Sequence, residues 1–152
     1  MKNSGKINFT FLKELNSNIK SNDDTLRENA FKTLNALELQ DQNPGIQMYA
    51  VYLMGKHHYL NAKSGKVLEN YYKAHQSFKK VFKIARIHRV NVKNPKYYFK
   101  YAESALRLSQ HVWCLHEQER LVTLAKNISD NSLKNLFPNS SSFKWLKNTL
   151  DS

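Results

Sequence analysis

The sequence predicts an all-α protein, with antiparallel helical hairpins stacked as a compact bundle or a short repeat-like array. Three observations carry that expectation. Apolar residues recur at three- and four-residue spacing along most of the chain, the period of a helix with one buried face. The four glycines and three prolines fall almost entirely between the periodic segments, where they punctuate rather than interrupt. The breaks themselves are short and rich in Asn, Asp and Ser, and short connections make successive helices antiparallel neighbours.

The first helix is expected from about Thr10 to Ile19, with Phe11, Leu12, Leu15 and Ile19 on one face and Ser21-Asn22-Asp23-Asp24 as its break. Thr25-x-x-Glu28 has the form of a capping box, opening a second helix through Leu39 with Leu26, Ala30, Leu34 and Leu37 as its stripe. After the Asn43-Pro44-Gly45 turn a third helix runs from Ile46 to Ala62. Its first half is nearly all apolar, which marks it as the most buried. Lys63-Ser64-Gly65-Lys66 connects it to a fourth helix, Leu68 to about Val90, where Tyr71, Ala74, Phe78, Val81, Phe82 and Ala85 form the inward face. Asn94 caps a fifth helix that begins at Pro95, where a proline costs no hydrogen bond. It extends to about Leu115 with Tyr98, Ala102, Ala105, Leu108 and Val112 inward. A sixth covers Glu117 to Asn127, the chain turns polar after Asp130, and a short terminal helix follows near Phe143 to Leu150. With 152 residues one core suffices. Residues 1–137 are taken as a single helical domain and 138–152 as a polar linker with a short helix.

Within the third and fourth helices, Met54-Gly55 stands where a Leu-Gly pair is common in paired helices. Val51 takes an aromatic place three residues earlier, His58 a tyrosine place three residues later, and Ala74 and Phe78 an Ala-x3-Phe place. In these positions residues 46–90 resemble one degenerate copy of a tetratricopeptide-type hairpin. The connector after Gly55 is longer than that family's turn and the closing proline is missing. The resemblance implies a groove that takes peptide or protein rather than a catalytic pocket.

Charge is the strongest functional signal. The chain carries a net charge of +12, and residues 42–102 hold twelve Lys and Arg against one acid, Glu69. An excess so local marks a surface and implies an anionic partner. Its sharpest part is the outer arc of the fourth helix, with Lys73, Lys79, Lys80, Lys83 and Arg86. Like charges at i, i+4 spacing repel, and an anion bound along them relieves that repulsion. Beside it lie Lys93 and the run Lys96-Tyr97-Tyr98-Phe99-Lys100-Tyr101 at the start of the fifth helix, lysines interleaved with rings as in nucleic-acid binders. Tyr98 and Tyr101 are expected in the core, and Tyr97 and Lys100 exposed.

The chemistry-bearing motifs fail one by one. His57-His58 and His75 have only Glu69 as a nearby acid, so they are read as polar positions on helix faces. His111-x2-Cys114-x-His116 has metal-like spacing, but on a helix His116 points away from the other two. His116-Glu117-Gln118-Glu119-Arg120 has arginine where a zinc protease needs its second histidine, and Ser64-Gly65-Lys66 lacks the rest of a phosphate loop. No catalytic residue, metal ligand or cofactor is assigned. The single cysteine, Cys114, permits no internal disulfide and fits a reducing compartment. No apolar stretch reaches membrane-spanning length, so a cytoplasmic protein that is not an integral membrane protein is expected.

The residues thus point to a non-enzymatic interaction adaptor, with Lys73, Lys79, Lys80, Lys83, Arg86, Lys93, Lys96, Tyr97 and Lys100 facing an acidic protein or peptide. The alternative is a regulatory protein that lays residues 73–100 along the phosphates of DNA or RNA. A homodimer sealed by the apolar third helix is a further candidate assembly.

Overall fold

The computed structural model describes residues 6–151. Helix α1 spans Phe9–Ile19, α2 Asp24–Asn35, α3 Pro44–Asn61, α4 Val67–Ile87, α5 Pro95–Ser109 and α6 Leu115–Asn127; a π-helical stretch Ile128–Leu133, α7 Lys134–Leu136 and α8 Ser141–Asp151 complete the chain. The described residues contain no strand, and the protein is an all-α bundle.

Side-chain caps set most of the helix starts. Asn8, Asn43 and Asn94 each accept a backbone N–H of the following turn, from Phe11 at 2.9 Å, Gly45 at 2.8 Å and Lys96 at 3.0 Å. Pro44 and Pro95 occupy first helical positions, where the absent N–H is no loss. The capping box expected at Thr25 is not used. Asp23 caps α2 instead, its carboxylate accepting from the Thr25 and Leu26 amides at 2.9 and 3.3 Å, so Leu26 lies outside the buried stripe and is exposed. A carboxylate next to the helix start also meets the positive end of the helix dipole.

The chain pairs its helices in sequence, α1 with α2, α3 with α4 and α5 with α6, and the hairpins join through α1 and α2 on α3 and through α4 on α5. α3 is buried along most of its length, through residues including Ile46, Met48, Ala50, Val51 and Leu53. Gly55 lets α4 come close: a Cβ there would lie 2.5 Å from the Phe78 ring, which is wholly buried. The inward face of α4 follows its apolar rhythm, with Tyr71, Ala74, Phe78, Val81 and Ala85 buried; His75 and Ile84 join them. Two connections need left-handed backbone. Lys66 (φ 46°) precedes α4, and Arg89 (φ 54°) ends it. Around Arg89, the Val90 amide returns to the Ala85 carbonyl at 2.9 Å and the Arg89 amide to Arg86 at 3.3 Å, the paired bonds of a Schellman ending with arginine where glycine is usual.

The carboxy-terminal third departs from expectation. Helix continues past Asp130 through the π-helical stretch into α7, because Ile128, Ser129 and Leu133 pack inward despite the polar run between them. The π-helical stretch and α8 both pack on α5, α8 through Phe143 and Leu146. Phe143 and Leu146 of α8 therefore join the same core as the rest of the bundle. Helix α5 stops at Ser109 rather than near Leu115, so His111 and Cys114 lie outside it.

Candidate functional site

The nine partner-binding residues expected from the sequence divide into two groups. Lys79, Lys80, Lys83 and Arg86 are exposed along the outer arc of α4, whose opposite face is buried in the bundle. Among the described residues no carboxylate lies within ion-pair distance of any of the four. Arg89, held just past the helix end, is exposed as well and extends the arc. The sequence signal for it was a base following Arg86 without an acid between them. Lys73 does not belong with the free charges, because its ammonium pairs with Glu69 at 3.1 Å one turn earlier. That contact holds the Glu69 carboxyl below its usual range. Lys93 is exposed in the loop between α4 and α5.

Lys96, Tyr97 and Lys100 belong to a different surface, and the expected exposure of the last two is corrected. Tyr97 lies against Tyr52 of α3 with ring centroids 4.8 Å apart, and burial, with the nearby Tyr49, pushes its hydroxyl up to about 12. The Lys100 side chain is 24% exposed, ion-paired to Glu103 at 3.0 Å, and its ammonium sits 4.6 Å from the Tyr59 ring centre. A lysine stem covers apolar surface while its head finds a partner. The remaining rings of this run are also occupied: Tyr98 against Phe82 and Phe137, Phe99 against Trp145, Tyr101 against His75 and Phe82. Tyr98 and Tyr101 are half-buried, and each ring of this run packs against at least one aromatic neighbour in the bundle.

At the centre of this second surface stands Lys56 of α3, which the sequence reading passed over. Its Nζ donates to the Asn16 Oδ1 of α1 at 2.9 Å and lies 5.8 Å from the Tyr52 ring centre. Asn16 also bonds the Tyr49 hydroxyl. Burial, then the charge and close approach of Lys20 and the charges of Lys100 and Lys96, lower Lys56 to about 7. The charges of Lys20, just past α1, and of Lys96 and Lys100 on α5 thus reach the Lys56 amine on α3. A lysine on the otherwise apolar α3, with Asn16/Lys20 and Lys96/Lys100 each one turn apart, was the available sequence signal.

The histidines serve packing. His57 is 4% exposed, stacked on Phe31 at 3.9 Å and bonded to Asn61 at 3.0 Å. His75 is 3% exposed, within 3.1 Å of the Ser104 hydroxyl and stacked on Tyr101. Burial first, then nearby cations, lowers His57, His58 and His75 to about 4 each, so all three are neutral near pH 7. The expectation of polar positions on helix faces gives way to buried, partnered imidazoles for His57 and His75. Among the described residues no three His, Cys, Asp or Glu side chains gather as metal ligands do, and no helix is long and apolar enough to cross a membrane.

The class these features define is a basic, all-α helical bundle with two cationic surfaces. No protein-family model, curated protein sequence or solved structure matches this chain.

Proposed function

We propose that this protein is a non-enzymatic helical adaptor that docks an acidic segment of another protein along the outer arc of α4. One observation carries the proposal: Lys79, Lys80, Lys83 and Arg86 lie exposed on one face, and no described carboxylate pairs with them. Repulsion among them is relieved only by an anionic partner or by solvent. The hairpin of α3 and α4 supports the adaptor, since its tetratricopeptide-type positions Gly55 and Phe78 meet in the core. Nucleic acid is the disfavoured partner because the rings at 97–101 are engaged within the bundle.

The test is capture of partners from native lysate by the wild type and by K79E/K83E/R86E, with and without nuclease. The variant should keep its helical signal and melting temperature. Its affinity for the captured protein should fall at least about tenfold, as expected when three contacts of ~0.5–1 kcal/mol each become repulsive. Retention of every partner by the variant makes the face a solvated one and ends the proposal. Loss of all partners on nuclease treatment, with a steep salt dependence, selects nucleic acid instead.

A further inference from the structure

We propose that the cavity enclosed by α5, α6 and α8 binds a small apolar monocarboxylate, with its carboxylate on Arg107 and its body against Leu106, Val122 and Trp145. Helices α6 and α8 both pack on α5, and a cavity of about 290 Å³ lies between the three. That is the small end of the ~300–1,000 Å³ common for ligand pockets. Helix α5 supplies one side of it. Glu103, Leu106, Arg107 and Gln110 all line the cavity, and their i, i+3, i+4, i+7 spacing is a single helix face. Glu103 and Ser109, each 8% exposed, form its floor, and the exposed Gln110, Trp145 and Thr149 form its mouth.

The charges around the cavity leave one cation over. Arg107 follows Glu103 by one turn, the spacing at which an acid and a base pair on a helix. Here Lys100 takes Glu103 at 3.0 Å, and among the described residues no carboxylate lies within ion-pair distance of Arg107. Its hydrogen-bond partner is the Tyr59 hydroxyl, an uncharged one. Lys100 and Glu103 cancel, so the half-buried guanidinium carries one uncompensated charge. A single carboxylate balances it and can accept two parallel N–H bonds from it. The hydroxyls of the lining do not compete as donors to an anion. Ser109 donates to the Leu106 carbonyl at 2.6 Å and Thr149 to that of Trp145 at 2.9 Å. Three lining residues are apolar: Leu106 and Val122 are half-buried, and Trp145 is held edge-on by Phe99 with centroids 5.4 Å apart. An inorganic anion would leave them facing water, whereas an acid with an apolar body covers them. A dianion would bring a second charge with no base to meet it, since Arg107 is the one base of the lining.

Titration calorimetry of the whole chain with hydrocinnamate, isocaproate, hydrocinnamamide and acetate tests the site. Hydrocinnamate and isocaproate should each bind the wild type saturably, one ligand per chain, and the tighter shows whether the body is aromatic or aliphatic. Hydrocinnamamide has the body without the charge, and acetate the charge without the body. Each should bind at least about tenfold more weakly than hydrocinnamate. R107Q removes the cation, and Q110E places a carboxylate one turn from it. Both should weaken hydrocinnamate binding at least about tenfold. Gln110 is exposed, so Q110E keeps the fold and the test valid if R107Q does not fold. Failure of both apolar carboxylates to bind the wild type overturns the proposal, as does equal affinity in wild type, R107Q and Q110E. Amide or acetate binding as tight as that of hydrocinnamate overturns it too. The α4 docking proposal rests on K79E/K83E/R86E, and none of those residues lines the cavity.

Discussion

Replacing Gly55 by alanine adds a single methyl group at the tightest approach of α3 to α4. In a solvent-exposed helix that change stabilises by about 1 kcal/mol, the difference in helix propensity. Here the new Cβ would lie 2.5, 2.8 and 2.9 Å from three carbons of the Phe78 ring, where carbons at rest sit ~3.5–4.0 Å apart. Phe78 is 0% exposed and its ring is backed by Tyr52, with centroids 5.7 Å apart, so it cannot swing aside. Overpacking of this kind costs about 1–3 kcal/mol, and three simultaneous contacts place it at the upper end. Subtracting the propensity gain leaves a net loss of about 2 kcal/mol, or roughly 4–8 °C in melting temperature for a chain of this size. Urea unfolding followed by circular dichroism measures it. The F78L change should lose stability alone yet rescue G55A, giving a favourable coupling in the double-mutant cycle. A G55A protein as stable as wild type, or more stable, would show that α3 and α4 are not apposed at Gly55.

Acid should destabilise the fold before most carboxylates titrate. His57 and His75 stay neutral in the folded protein down to about pH 4, whereas in the unfolded chain they take up protons near pH 6.5. The unfolded state therefore binds more protons between those values, and stability falls as pH falls through that window. The slope should approach ~1.4 kcal/mol per pH unit for each histidine; a slope corresponding to less than one proton between pH 6.5 and 5 counts against their burial. Ser129 offers a stabilising change. Its hydroxyl is buried without a hydrogen-bond partner, so Ser129→Ala should raise stability by about 1 kcal/mol in chemical denaturation, and a loss of stability would mean that the hydroxyl is satisfied.

What the sequence made legible follows the range of the forces involved. Helix α4 and its cationic arc could be read because one period of 3–4 residues sorts Tyr71, Ala74 and Phe78 from Lys79, Lys80 and Lys83. The caps at Asn43 and Asn94 are local and announce themselves beside a proline. The choice between Asp23 and Thr25 was harder, since both can cap and only the backbone turn at Asp23 decides. Continuation of helix through 129–132 was hidden, because Ser129-Asp130-Asn131-Ser132 has the composition of a loop and is held by what Leu133 buries. The second surface was out of reach for another reason. Lys20, Lys56 and Lys96 come from different helices, and only tertiary packing brings their charges onto one amine. The same packing claimed Tyr97 and Lys100, which sequence alone assigned to solvent.

The π-helical stretch makes an accounting of chain length possible. Leu121 and Leu133 are both fully buried, twelve positions apart. At ~100° per residue, a regular α-helix would rotate Leu133 about 120° away from Leu121; eleven positions would bring it back to within about 20°. The stretch Ile128–Leu133 thus holds one residue more than a uniform helix needs to keep Leu133 on the buried side. By widening a turn, the helix absorbs that surplus residue without losing phase, and α7 follows with Leu133 kept in the core. Residues 129–132 are where this helix can shorten by one without turning Leu133 away from the core.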